Sequence, residues 1–444
     1  MLWVSELFEF HSMKRGFYTI MAAQFFSSLA DNALFVVAVE LLRANNGPEW
    51  TRAALVPMFA LFYVILAPFV GALADSRPKG QVMFASNAVK VLGCLMMLFG
   101  AYPLAAYAIV GLGAAAYSPA KYGLLTELLP TSQLVKANGW IEGLTIASII
   151  LGVVLGGQLV GGPVSAYLLS FDVPWMVTSI DTAPEAAICI LVLIYGLAAW
   201  FNRQIPLTLA VLRPFKQNPN HSQFRNFIEL INDFWSCNSR LWSDKLGQIS
   251  LATTTLFWGV SGNLRYIVLA WSAIALGYTT VQASSLVGVV AIGTAVGALI
   301  ASMKARLDHA VKVIPLGIAM GLLVLGMNFI TNVWLVIPFL IFLGGLGGYM
   351  VVPMNALLQH RGHHLMGAGR SIAVQNFNEQ VCILTLGGMY AFSTSVGLSA
   401  FGAISFFGLF VTVMMWIIYR WHAYNHKHFR HELATLIVST RHDD

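Results

Sequence analysis

The sequence predicts an all-α integral membrane protein with twelve transmembrane helices in two pseudo-symmetric six-helix bundles. Of its 444 residues, 58% are hydrophobic and only 10% are charged, whereas a soluble domain has about 25% charged residues. Apolar runs long enough to cross a hydrocarbon core of about 30 Å recur along the whole chain. The two halves also share short motifs. A β-barrel would instead show short strands of alternating polarity.

The predicted spans follow the apolar runs, with ends placed to within a few residues. They cover about 17–42, 54–74, 81–101, 104–128, 134–160, 184–202, 247–273, 282–303, 312–329, 333–358, 367–392 and 397–420. The first run is too long for the apolar region of a cleavable signal and has no small-residue cleavage site before its end, so we expect it to span the membrane.

The charge pattern predicts the orientation of the chain. Alternate loops carry most of the lysine and arginine residues, while the opposite loops hold only Arg43 and Arg52. The positive-inside rule therefore places both termini and the long middle loop in the cytoplasm. The same rule accounts for the net charge of +6, so no nucleic-acid partner is expected.

Composition divides the chain into four parts: an N-terminal bundle (1–202), a cytoplasmic linker (203–246), a C-terminal bundle (247–420) and a cytoplasmic tail (421–444). In the linker, Phe224, Phe227, Ile228, Ile231 and Phe234 recur at helical spacing. This spacing predicts an amphipathic helix on the membrane surface, and a partly ordered loop is the alternative.

Three motif pairs indicate an internal repeat. The pairs are GLGAAAYSPAKYGLL with GLGGYMVVPMNALLQ, GALADSRPK with GALIASMKAR, and VKANGWIE with IAVQNFNE. Each match is weak alone, but all are offset by roughly half the chain. A six-plus-six repeat is typical of transporters, whose substrate sites lie between the repeats near the middle of the membrane.

Polar residues on the first, third and seventh spans form the predicted substrate site. They are Gln24, Asn32 and Asp31 on the first span, Asn87 and Lys90 on the third, and Trp258 and Arg265 on the seventh. A charge at the bilayer centre costs about 2.5–3.5 kcal/mol on insertion scales. We therefore expect Asp31 and Arg265 to pair or to share a polar cavity. A static ion pair that only fixes helix packing is the alternative.

A second set of polar residues lies nearer the cytoplasmic ends of the spans and predicts a gate. It consists of Lys121, Glu127, Asn138 and Glu142 from the fourth and fifth spans, and Gln375, Asn376 and Glu379 from the eleventh. Glu127 is equally consistent with a solvated loop charge.

Asp75 and Arg77, in the loop after the second span, extend the predicted gate. An acid at this helix end can lock to a neighbouring helix, although ordinary positive-inside charge also explains the loop. The loop resembles the glycine, acidic and basic signature of the major facilitator superfamily, except that Pro78 stands where that signature has glycine.

Catalysis and metal binding are not predicted. The sequence has no nucleophile–base constellation and no nucleotide-binding loop. The histidines near 360 and in the tail follow no zinc spacing. No catalytic residue, metal or cofactor is therefore expected.

At GAAAYSPAKYG, LVKANG, VVPMNALLQ and GAGRSIAVQN the sequence resembles the bacterial lysophospholipid transporters, a branch of the major facilitator superfamily. The resemblance runs from about Gln24 to Arg420. It implies that lysophospholipids, chiefly lysophosphatidylethanolamine, are flipped across the bacterial inner membrane to the cytoplasmic leaflet. An acyltransferase/acyl-acyl carrier protein synthetase would then reacylate them as a functional partner.

The resemblance also implies roles for single residues. It makes Asp31, Lys121, Glu127, Arg265 and Glu379 functional charges, accompanied by Asn32, Asn87, Lys90, Asn138 and Gln375. Such a substrate is expected to enter sideways from the lipid and to cross by alternating access between the two halves. The alternative function is a proton-coupled exporter of amphiphilic drugs, in which Asp31 would titrate.

Overall fold

Each of the twelve predicted spans is covered by helix in the structure, a computed structural model that describes residues 15–46, 49–170, 182–208, 212, 223–278 and 280–442. Helices of the first half are α1 (Arg15–Ala44), α2 (Glu49–Ile65), α3 (Ala67–Ser76), α4 (Lys79–Leu98), α5 (Pro103–Leu128), α6 (Leu134–Val160), α7 (Gly162–Leu169) and α8 (Ala183–Arg203). The linker contains α9 (Gln223–Ser243).

The second half continues with α10 (Gly247–Ala275), α11 (Thr280–Lys304), α12 (Ile314–Gly326), α13 (Val333–Met366), α14 (Ala368–Ser395), α15 (Ala400–His428) and α16 (Arg430–His442). Short 3₁₀ helices at Thr131–Gln133, Leu307–Val313 and Met327–Phe329 join or extend these helices. The described residues contain no strand, so the all-α prediction is confirmed.

Length and apolarity support the transmembrane assignment. Within the described part of the chain, eight helices are long and apolar enough to cross a membrane, and α2 with α3 forms a ninth if this pair, bent by 62°, is one span. Pro68, in the first turn of α3, lacks the backbone N–H and its ring clashes with the preceding turn, which accounts for the bend. The other predicted spans correspond to α5, α10 and α14, which bury polar residues such as Lys121, Thr254 and Glu379.

Two compact units can be distinguished, and they differ from the predicted bundles. One contains the described residues of Met1–Leu129, Ala147–Asn232 and Gly367–Ala373, and the other those of Pro130–Ile146, Asp233–Met366 and Val374–Asp444. The start of α6 therefore belongs to the second unit, and the start of α14 to the first. The predicted boundaries at 202, 246 and 420 stay predictions.

In the first unit, glycines let helices approach closely. A Cβ at Gly111 would overlap the backbone of Phe59, and one at Gly113 would overlap the backbone of Ser86 and the stem of Lys90. Small residues at helix contacts are typical of membrane proteins, because close backbone approach replaces the hydrophobic effect as the source of attraction. The resulting core is built mainly from α1, α4, α5 and α8, with Leu55 of α2 and Leu159 of α6.

In the second unit, glycines on both α11 and α13 let these two helices approach closely. A Cβ at Gly293 or Gly297 would overlap the backbone of α13, and a Cβ at Gly344 or Gly348 would overlap that of α11. These glycines recur at small-xxx-small spacing. They bring the two helices together as one wall of this unit.

Helix α9 covers the linker segment for which an amphipathic helix was one of two interpretations. Phe224 and Trp235 are exposed, whereas Phe234 and Leu241 are buried. The ring of Phe234 meets that of Phe377 edge to face at 5.3 Å. The part of α9 that begins at Asp233 thus buries some apolar side chains within the second unit and leaves others, such as Trp235, exposed.

Candidate functional site

An ion pair between Asp31 of α1 and Lys90 of α4 is the centre of the candidate substrate site. Lys90 Nζ lies 2.7 Å from Asp31 Oδ2 and 2.9 Å from Ser27 Oγ. The Tyr195 hydroxyl donates to Asp31 Oδ1 at 2.7 Å. Ser27 in turn donates to Asn87 Oδ1 at 2.8 Å. Both Asp31 oxygens are therefore bound by donors of the same unit.

Burial makes this pair tight. The Lys90 side chain is 2% exposed and that of Asp31 is 18% exposed. The Lys90 ammonium also lies 5.1 Å from the centre of the Tyr117 ring, a cation–π geometry. Gly113 provides the room for the Lys90 stem. The ammonium is thereby held inside the unit, and the carboxylate keeps one partly open side.

The predicted companions of Asp31 take different positions. Gln24 is buried on α1, and the Asn32 amide donates to the Ser28 carbonyl of its own helix at 2.8 Å. Trp258 is half-buried on α10, and its ring meets that of Phe257 at 5.2 Å. The side chain of Arg265 lies outside the described residues, so its pairing with Asp31 stays a prediction.

Asp75 lies against the first turn of α14, in the first unit. Its carboxylate accepts hydrogen bonds from the backbone N–H groups of Gly369, at 2.7 Å, and Arg370, at 3.0 Å. The Arg370 guanidinium adds a contact of 3.3 Å. The first N–H groups of a helix have no partner within the helix and carry its positive dipole end. Asp75 therefore supplies an anionic cap from another part of the chain.

Lys79 and Glu127 form a second buried ion pair beside this cap. The Lys79 ammonium contacts the Glu127 carboxylate and lies 3.8 Å from Asp75 Oδ1. Thr208 donates to Glu127 Oε2 at 2.7 Å. The Glu127 side chain is 7% exposed. The interpretation of Glu127 as a solvated charge is therefore wrong, because Lys79 and Thr208 compensate its burial.

Amides and carboxylates of α6, α13 and α14 form a buried network in the second unit. Asn138 and Gln359 exchange two amide hydrogen bonds, of 2.9 and 2.8 Å. Gln375 donates to Asn355 at 3.0 Å and to Glu379 at 2.7 Å. The Asn355 amide reaches toward Glu142 at 3.4 Å. The motif pair VKANGWIE and IAVQNFNE thus contributes Asn138, Glu142, Gln375 and Glu379 to these contacts.

The remaining predicted gate residues differ in their burial. Lys121 is buried, and its ammonium lies 4.0 Å from the centre of the Tyr122 ring. Arg77 is exposed at the end of α3, and Asn376 is half-buried on α14. Among the described residues, no group of three or more His, Cys, Asp or Glu side chains is placed to hold a metal ion.

Seven contributing residues were not predicted as site residues: Ser27, Lys79, Tyr195, Thr208, Asn355, Gln359 and Arg370. Asn355 and Gln359 stand in the repeat motif VVPMNALLQ, where Asn355 occupies the position of Lys121, so the repeat could have identified Asn355. Tyr195 stands in an apolar run that gives no polar signal. Only the fold brings its hydroxyl to Asp31.

Comparison with protein families identifies the superfamily. The model of the Major Facilitator Superfamily matches residues 20–383. The chain is 38% identical over 410 residues to the lysophospholipid transporter LplT of Enterobacter sp. (strain 638), covering 91% of this chain and 96% of that protein. It is 39% identical over 415 residues to LplT of Escherichia coli (strain SMS-3-5 / SECEC), covering 92% and 97%.

Solved structures agree on the fold. The Escherichia coli fucose:proton symporter FucP has a TM-score of 0.67 at 14% identity, covering 91% of this chain and 98% of that one. A bacterial homologue of the iron transporter ferroportin in an outward-facing state also has a TM-score of 0.67, at 14% identity, covering 92% and 100%.

The superfamily is a class of transporters and the curated relatives are named as transporters, so the chain is a membrane transport protein and not an enzyme. The expected fold is confirmed together with the expected family. The chain belongs to the major facilitator superfamily, in the family of the bacterial lysophospholipid transporters.

Proposed function

We propose that this protein moves lysophospholipids, chiefly lysophosphatidylethanolamine, across the bacterial inner membrane to the cytoplasmic leaflet. The relatives that match over almost their full length are named for lysophospholipid transport. The observation in this chain that carries the proposal is the buried pair of Asp31 and Lys90. It places one anion and one cation, with a hydroxyl from Tyr195, beside each other in a membrane helix bundle.

This arrangement is complementary to a zwitterionic headgroup. The ammonium of an ethanolamine headgroup can replace Lys90 as the partner of Asp31, and the phosphate can accept hydrogen bonds from Lys90. Charge-assisted bonds of this kind are about twice as strong as neutral ones. Because both protein charges are already compensated, an empty site avoids the cost of a lone buried charge. Arg265 is the further phosphate ligand in this proposal, one helical turn beyond Ser261.

The cytoplasmic gate is proposed to consist of the two interhelical contacts described above. One is the cap that Asp75 makes on α14, and the other is the set of contacts that Asn138 and Glu142 of α6 make with Gln359 and Asn355 of α13. Each joins a helix of the first sequence half to one of the second. In alternating access both must separate once per cycle. Lipid enters from the side, so that the acyl chain never leaves apolar surroundings.

Both termini are assigned to the cytoplasm in this proposal. The product would appear in the leaflet where an acyltransferase/acyl-acyl carrier protein synthetase can reacylate it. The acyl chain added in this step restores a diacyl lipid and removes the product from the transport equilibrium.

Reconstitution tests the proposed function. Purified protein in liposomes receives fluorescent lysophosphatidylethanolamine on one side, and albumin extraction measures how much remains there. We expect movement well above that in protein-free liposomes, and its loss in Asp31→Asn. Equal movement with and without protein contradicts the proposal. Movement that requires an imposed proton gradient and accepts cationic drugs equally well would favour the exporter instead.

A further inference from the structure

An apolar cavity inside the second unit lies outside all the clusters described so far. It has a volume of about 40 Å³ and is lined by residues of α10, α11, α12, α13 and α15. Since one water needs about 10–15 Å³ by this measure, the cavity has room for about three groups of water size. That room suits the last carbons of a hydrocarbon chain rather than a whole lipid.

The lining of the cavity is almost entirely hydrocarbon and sulfur. Met320, Met350 and Met415 contribute three of its side chains. Methionine is flexible and polarisable, so such a wall adapts to tails of different shape. The hydroxyl of Thr294 donates to the Val290 carbonyl of its own helix at 3.0 Å, so this lining residue makes no polar demand on an occupant. Cavities of this character stay dry and take up apolar groups.

The position of the cavity connects it to the predicted headgroup site. Phe257, Val260, Ser261 and Leu264 line it, a stripe of i, i+3, i+4 and i+7 on α10. The polar stripe that contains Trp258 and Arg265 runs beside it and shares Ser261. At 1.5 Å per residue, Arg265 lies about 6 Å from Ser261 along the helix axis. The residues that line the cavity and the predicted headgroup residues Trp258 and Arg265 therefore lie on adjacent faces of α10.

We propose that this cavity binds the end of the acyl chain of the transported lysophospholipid and sets the preferred chain length. The inference rests on the proposed function for the identity of the occupant. A single-chain lipid leaves the end of its tail unaccompanied, which a pocket for a few carbons can accept. Filling the cavity should therefore weaken the binding of lipids whose tails end in it and leave the binding of lipids with shorter tails unchanged.

Transport by cavity-filling variants tests this inference. Val290→Phe on α11 and Val411→Phe on α15 each add a ring to the lining. Their controls are Val296→Phe and Val413→Phe, which make the same change on the same helices at exposed positions. We expect both filling variants to raise KM for octadecanoyl lysophosphatidylethanolamine, by at most about 50-fold, the loss expected for three methylene groups. KM for the decanoyl lipid should stay unchanged, as should both values in the controls.

Photocrosslinking provides a readout that does not depend on transport. Lysophosphatidylethanolamine with a diazirine at the tail end is bound to the purified full-length protein, irradiated and mapped by peptide sequencing. We expect label on peptides containing Met320 or Met415, and its loss in Val290→Phe. Label elsewhere, or filling variants that affect both tail lengths equally, would overturn the inference. If the wild type is labelled in the cavity but transports nothing, the tail site stands and the proposed function fails.

Discussion

Replacing Lys90 by methionine should be among the most destabilising single changes in the first unit. Methionine keeps the length of the apolar stem above Gly113 but removes the charge. Asp31 would then lose a partner at 2.7 Å, and its bond from the Tyr195 hydroxyl would remain. Breaking a buried ion pair by removing one partner costs about 3–5 kcal/mol. The remaining 18% exposure of the Asp31 side chain allows some hydration, so we expect about 3 kcal/mol.

The double variant Asp31→Asn with Lys90→Met isolates the charge effect. Both formal charges are then absent, and replacing a whole buried pair is often nearly neutral. We expect the double variant to be more stable than Lys90→Met alone. If the two substitutions acted independently, their effects would add, and the double variant would instead be less stable than Lys90→Met alone.

Reversible unfolding in mixed micelles measures these differences, with the aromatic circular dichroism signal as the probe. Lys304→Met, the same change at an exposed position at the end of α11, is the control and should cost no more than about 0.5 kcal/mol. A Lys90→Met variant within about 1 kcal/mol of the wild type would refute the buried pair. A double variant less stable than both single variants would refute the coupling.

Three further predictions concern the helix contacts. Asp75→Ala removes the acceptor of two N–H groups at the start of α14. Hydrogen exchange of these amides, measured by mass spectrometry, should become about 10- to 100-fold faster, because the helix start loses about 1–3 kcal/mol of local stability. Unchanged exchange would exclude the cap. Gln359→Leu removes the two hydrogen bonds between Gln359 and the buried Asn138 amide, while the bond from Asn138 to the Leu134 carbonyl remains. This change should cost about 1–3 kcal/mol of unfolding free energy, whereas leucine at both positions should cost less. A larger loss in the double variant contradicts this. Gly297→Ala places a Cβ on the backbone of α13, while the Cβ of Gly288→Ala on the same helix meets nothing. Only Gly297→Ala should therefore lower the folded fraction in size-exclusion chromatography. Equal yields of the two variants would show that α11 and α13 can move apart.

The sequence alone was sufficient for the helices and for several contacts. Apolar runs placed all twelve spans, because a bilayer imposes one length on every crossing helix. Asp75 was expected at a helix end that could lock to a neighbour, and it lies at the start of α14. The repeat brought Glu142 and Glu379 into the same candidate set, because equivalent positions in two repeats face a common axis.

Partner choice was harder to predict from the sequence. Lys90 was expected only as a polar residue of the substrate site beside Asn87, because its flexible stem could also have reached toward water. Helical spacing places a residue on a face but does not say which of several cations the rotation of a neighbouring helix brings nearest. The burial of Glu127 likewise depends on Lys79 and Thr208, which are distant in sequence.

The division into compact units has a consequence for synthesis in the cell. The first unit includes residues 367–373 and the second includes residues 130–146. When the ribosome has made the first six spans, the first unit still lacks the start of α14, and Asp75 has no backbone N–H groups to cap. The start of α6 must also wait for α13 before Asn138 can meet Gln359. The first half therefore enters the membrane with polar groups whose partners have not been translated, and final packing is a post-insertion step that requires nearly the whole chain.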